Sequence, residues 1–118
     1  MKCLVVDDSA TMRRIVVNAL NSIGIADVVE AGGGSDALEK VNSSIDLIIT
    51  DWGMPPVGGL DLIRAVRATT ATPILVVTTR SRQEDIMQAV NAGGSGYIRK
   101  PFTPQDLKDK IRQIMAAV

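Results

Sequence analysis

Three aspartates, a threonine pair and a lysine carry the chemistry that this chain can do. Asp7 and Asp8 follow a short apolar run, Asp51 follows another, Thr78 and Thr79 a third, and Lys100 a fourth. Taken singly, each has an ordinary structural role: a helix cap, a turn residue, a strand-end hydroxyl. Brought to one place they are a different object. Three carboxylates close together repel, and at neutral pH they call for a cation among them. Oxygen-only donors, in a chain with no histidine and one cysteine, suit a hard ion, Mg²⁺ with Mn²⁺ as its substitute. Lys100 is a point charge suited to a phosphoryl oxygen, and a threonine hydroxyl or a backbone N–H can take another. That is equipment for phosphoryl transfer, which needs positioning and neutralisation of a charged transition state. A carboxylate can itself accept the group as an acyl phosphate. Asp51 is the best acceptor candidate, because it leaves a central strand while Asp7 and Asp8 sit together and can share the metal.

The elements that would bring these residues together are legible in the apolar pattern. Strands are expected at Lys2–Val6, Ala26–Glu30, Ile45–Thr50, Pro73–Val77 and Gly96–Arg99. Gly53, Pro55 and Pro56 forbid regular structure after the third, which puts Asp51 at the strand exit, in a loop. The first helix, capped by Ser9 or Asp8 and ended by Gly24, should turn Met12, Ile15, Val16, Ala19 and Ile23 to one face. A short second helix, capped by Ser35, holds Ala37, Leu38 and Val41. The third follows Gly58-Gly59 with Leu60, Ile63 and Val66 inward, and the fourth runs from about Gln83 to Ala92 with Ile86, Ala89 and Val90 apolar. Thr103-Pro104-Gln105-Asp106 opens the fifth with threonine at the N-cap, proline at N1 and an acid at N3. Its Leu107, Ile111, Ile114 and Val118 repeat at helical spacing. Five strands alternating with five helices predict an α/β sandwich of three layers on a parallel sheet, and the exits of strands one, three, four and five share one edge. Ligands bind at that edge in such sheets.

Composition bounds the rest. A chain of 118 residues is one domain, long enough to bury a core without disulfides or a structural metal. Thirteen basic side chains balance thirteen acidic ones, so net charge argues for neither nucleic acid nor a membrane surface. Residues 80–118 nevertheless carry seven basic and four acidic groups, a mildly basic face that suits an acidic partner. Serine–histidine catalysis and histidine metal sites are excluded by the absence of histidine. Cys3 belongs in the first strand as a small core residue. No apolar run approaches the length of a membrane span, and no signal-like segment opens the chain, which reads as cytoplasmic.

At this point the residues meet a known pattern. Val5-Val6-Asp7-Asp8-Ser9 with Met12-Arg13-Arg14-Ile15-Val16, Asp51-Trp52-Gly53-Met54-Pro55, Val77-Thr78, and Ser95-Gly96-Tyr97-Ile98-Arg99-Lys100-Pro101-Phe102 resemble the receiver domain of two-component response regulators, in particular the stand-alone CheY-like chemotaxis type. The resemblance covers the whole chain, a single receiver domain over residues 1–118 with no effector domain. It implies a flavodoxin-like (βα)5 fold with strand order 2-1-3-4-5. It implies that Asp51 takes a phosphoryl group from a sensor histidine kinase, with Mg²⁺ held by Asp7, Asp8, Asp51 and the backbone carbonyl of Gly53. Lys100 would grip a phosphoryl oxygen, and its bond to Pro101 would be cis. Thr78 and Tyr97 would move with phosphorylation and re-present the fourth helix, fifth strand and fifth helix to a target.

The implied partners are that kinase, a flagellar motor switch protein or another protein target, and a phosphatase, with the protein itself a monomer. A phosphate sink or a relay intermediate is the alternative output. From the enzyme class, an aspartyl phosphatase dependent on a metal is the rival, although its usual paired aspartates are separated by one residue and Asp7 and Asp8 are adjacent. A flavin carrier is disfavoured by acids where a phosphate would sit. Gly53 and Arg80 flank the acceptor and bear on the lifetime of the acyl phosphate.

Overall fold

The computed structural model describes residues 1–52, 58–78 and 83–116, with the side chains of 83–86 outside the description. The strands are β1 (Lys2–Val6), β2 (Asp27–Ala31), β3 (Leu47–Asp51), β4 (Ile74–Thr78) and β5 (Gly96–Arg99). The helices are α1 (Ala10–Ser22), α2 (Gly34–Lys40), α3 (Gly59–Arg67), α4 (Gln83–Ala92) and α5 (Pro104–Ala116). All strand pairs are parallel, in the order β2-β1-β3-β4-β5, as the resemblance implied.

A strand buried on both faces reads as a continuous apolar run, and its alternation appears only in three dimensions. Here Cys3, Val5, Leu47, Ile49, Leu75, Val77 and Ile98 face one core with Val16, Val17 and Leu20 of α1 and Leu107, Ile111 and Ile114 of α5. Leu4, Val6, Ile48, Ile74 and Val76 face a second core with Ala37, Leu62, Ile63, Val66 and Ala89, from α2, α3 and α4. Cys3 is a core residue, and burial pushes its thiol up to about 11, so it stays protonated at neutral pH.

Several boundaries differ from the expectation. β3 begins at Leu47, and Asp51 is its last residue, paired with Val77, where a loop position was expected. The reason is parallel pairing: β4 extends through Thr78, and its backbone holds Asp51 in the ladder. In α1 the buried stripe is Val16, Val17, Ala19 and Leu20, while Ile15 is 47% exposed beside Phe102. A helix laid flat on a sheet buries adjacent pairs, which the wider stripe read from spacing did not capture. Ser9 is the N-cap of α1, its hydroxyl accepting the Met12 N–H at 3.3 Å. Ser35 does not cap α2. The cap is Gly33, and Asp36 reaches back to accept the Gly32 N–H at 3.1 Å. Leu38 and Val90 are exposed. Thr103 caps α5 as expected, reciprocally with Asp106. Ile86 and Val118 lie outside the described side chains and residues.

Gly59 shows how closely α3 seats on the acceptor strand. Its N–H donates to the Trp52 carbonyl at 2.9 Å, and a Cβ there would stand 2.7 Å from the Asp51 carbonyl oxygen and 2.9 Å from the Trp52 Cα. Alanine is the better helix former, yet Gly59→Ala is expected to destabilise the protein by about 1–3 kcal/mol through overpacking. Urea denaturation checks this, and an unchanged or raised midpoint would refute the close approach.

Candidate functional site

The site is built at the carboxyl ends of β1, β3, β4 and β5. Val6 pairs with Thr50, so Asp7 follows at the level of Asp51 on the neighbouring strand. The Asp7 N–H continues toward β2, donating to the Ala31 carbonyl at 3.2 Å. Its carboxylate is held by the Ser9 N–H, which donates to Oδ1 at 2.9 Å. The Lys100 N–H donates to the Thr78 carbonyl at 2.8 Å, which fixes the lysine just past β5, where its bond to Pro101 is cis.

From there the Lys100 ammonium reaches both strands. Its Nζ lies 3.2 Å from Asp51 Oδ1 and 3.5 Å from Asp7 Oδ2. Asp8 completes the acidic group on the solvent side, and one oxygen from each of Asp7, Asp8 and Asp51 lies within 4.8 Å of the others. Asp7 is 4% exposed. Burial raises its pKa above the ordinary carboxylate value and the charge of Asp51 adds to this, opposed by the Ser9 N–H and by Lys100. One ammonium faces three carboxylates, and the buried member is strained by its own charge. A hard divalent cation would relieve that repulsion, and the donor set fits one.

Thr78 ends β4 and is buried at the same edge. Tyr97 in β5 is 39% exposed, with Lys110 Nζ 5.7 Å from its ring centroid. Trp52, directly after Asp51, is buried against the second core. Gly53, Thr79 and Arg80 lie outside the described residues. The structure therefore brings Asp7, Asp8, Asp51 and Lys100 into one charge centre, places Thr78 at its edge, and leaves Tyr97 on the surface of β5.

One neighbour had no assigned role in the sequence reading. Arg13 donates from Nη1 to the Asp7 main-chain carbonyl at 2.7 Å and pairs through Nε with Glu30 Oε1 at 3.3 Å. Its position depends on the register that sets Val5 opposite Glu30, and local spacing carries no such signal.

The sequence profile of the response regulator receiver domain matches residues 3–112. The chain is 47% identical over 120 residues to chemotaxis protein CheY1 of Helicobacter pylori strain J99, covering 98% of this chain and 97% of that one. It is 45% identical to chemotaxis protein CheY of Pseudomonas aeruginosa, covering 100% and 98% respectively. Among solved structures, chemotaxis protein CheY4 of Vibrio cholerae superposes with a TM-score of 0.89 at 34% identity, over 96% of this chain and 97% of that one. With the family profile matching residues 3–112 and relatives of 45–47% identity matched over nearly their full length, the chain belongs to the response regulator receiver domain family.

Proposed function

We propose that this protein is a phosphorylation-controlled signalling switch of the chemotaxis type, with Asp51 as the residue that takes the phosphoryl group. The observation that carries this reading is the Lys100 ammonium set between Asp51 and Asp7 at the exit of the central strands. An oxygen of Asp51 would attack phosphorus, the bond from phosphorus to the imidazole nitrogen of a kinase phosphohistidine would break, and that nitrogen would keep the electron pair. Lys100 then transfers its contact from the free carboxylate to a phosphoryl oxygen, so its charge is already in place as negative charge builds up. Asp7 and Asp8, with Asp51 and the Gly53 carbonyl, are the residues assigned to Mg²⁺. Bound there, the ion would neutralise phosphoryl charge and help hold the reacting groups in line. The chain would catalyse its own phosphorylation and dephosphorylation without turning over a separate substrate.

Thr78 and Tyr97 are assigned the relay to the surface formed by α4, β5 and α5. Support for an output face there comes from exposed apolar groups, Met87 and Val90, each 54% exposed, together with Tyr97. Arg99, Lys108, Lys110 and Arg112 lie on β5 and α5, which suits an acidic segment of a partner such as a motor switch protein. The receiver domain is proposed to work as a cytoplasmic monomer. Among the described residues no helix is long and apolar enough to cross a membrane.

Trp52 adjoins Asp51 and is the only tryptophan, so its fluorescence reports on the site. It is expected to change saturably with Mg²⁺, and again when acetyl phosphate is added with Mg²⁺ present. Phosphate release should then continue only at the slow rate of adduct breakdown. Rapid turnover of many phosphoesters per molecule would move the protein into the enzyme class.

A further inference from the structure

We infer that Arg13 is a positioning residue for the divalent-cation site, acting through the main chain between Asp7 and Asp8. This rests on the reading that those two carboxylates hold the ion. β1 ends at Val6, so the carbonyl of Asp7 lies past the β-ladder and needs a donor from elsewhere. The Arg13 guanidinium supplies it, at 2.7 Å from Nη1. Holding that oxygen sets the plane of the Asp7–Asp8 peptide, and with it the direction in which the Asp8 side chain leaves the backbone. Asp7 is already fixed by its own N–H on Ala31 and by Ser9. Asp8 is exposed, and no hydrogen bond or ion pair orients its carboxylate among the described residues.

The guanidinium is in turn oriented by a second group. Glu30, on β2, accepts from Nε at 3.3 Å, and the Glu30 carbonyl accepts from Lys40 Nζ at 2.7 Å. Arg13 thus spans from α1 to the end of the edge strand, with its planar fork using two different nitrogens on two different acceptors. Lysine has no such fork. A partner that orients a ligating group commonly affects metal affinity by an order of magnitude or more.

Simple electrostatics gives the opposite sign, which makes the inference testable. Removing a cation beside a metal site should tighten binding, whereas removing a positioning group should weaken it. The experiment is a Mg²⁺ titration followed by Trp52 fluorescence, at a temperature where circular dichroism shows each protein fully folded. For Arg13→Met the Kd is expected to rise about tenfold, with a smaller rise for Arg13→Lys. A merely structural role would lower the melting temperature and leave the Kd unchanged, and that result overturns the inference, as does a lowered Kd. Should Arg13→Met fail to fold, Arg13→Lys carries the test alone, since it keeps the charge and loses the fork. A raised Kd supports positioning and an unchanged one refutes it. A wild-type protein whose fluorescence ignores Mg²⁺ would defeat the metal reading itself, an outcome distinct from a responsive wild type with an insensitive variant.

Discussion

Asp51→Asn is expected to abolish the phosphoryl adduct that forms when the protein is incubated with Mg²⁺ and acetyl phosphate. Intact-mass spectrometry of the wild type should show one adduct, and the variant should show a loss of more than about a hundredfold, because an amide oxygen is not a comparable nucleophile. The fold should survive. Asp51 is the last residue of β3, and its backbone pairs with Val77 whatever the side chain. Losing its charge costs the 3.2 Å pair with Lys100 but also relieves Asp7, whose ionised form is disfavoured partly by that charge. The lysine keeps Asp7 as a partner at 3.5 Å. An adduct of undiminished yield in the variant would place the acceptor elsewhere and sink the assignment.

The second large effect concerns Asp7 and has opposite signs in two assays. Its pKa is raised in the folded protein, first by burial and then by Asp51. A carboxyl group so shifted binds its proton more tightly when folded. Its contribution to stability is therefore full below the ordinary carboxylate range and is lost as pH rises through the raised folded value. At neutral pH without metal, the ionised Asp7 works against the fold. Asp7→Asn should then melt measurably higher than the wild type in a chelator. The advantage should shrink as pH falls into the carboxylate range and the wild-type residue protonates. In the same variant the fluorescence response to Mg²⁺ should weaken by an order of magnitude or more if, as proposed, Asp7 is one of three carboxylates that hold the ion. A variant that melts lower than wild type at neutral pH in chelator would show that Ser9 and Lys100 outweigh burial.

These two results would separate what folds the chain from what charges its site. The fold was legible because its signals are local: apolar runs of strand length, Gly24 ending α1, Thr103 and Asp106 opening α5. The convergence of Asp7, Asp51 and Lys100 was legible because an alternating chain of this kind has only one end at which its strand exits can meet. What escaped the sequence depends on register and helix rotation. Ile15 and Val17 have the same chemical character, and only the tilt of α1 on the sheet decides that Ile15 is exposed and Val17 buried. Ser35 is a good capping residue, but α2 opens earlier, with Gly33 at the cap and Ser35 already inside the helix. Arg13 stands in a run of two arginines, and nothing in that run says which one meets Glu30.

The lysine bridge has a consequence for how the site comes into being. Lys100 is 93 positions from Asp7 and 49 from Asp51 along the chain. β1, which ends beside Asp7, is laid between β2 and β3, while Lys100 arrives on the opposite edge strand. No stretch shorter than nearly the whole domain contains all three groups, and no supersecondary unit encloses them. Contacts of this range are the slow ones to form, because closing so long a loop precedes any gain from it. A nascent chain or a proteolytic fragment holding the acid pair and Asp51 would carry three carboxylates without their ammonium. The charge centre is thus a checkpoint on the sheet: a molecule in which it exists has, by topology, already brought β1, β3, β4 and β5 together.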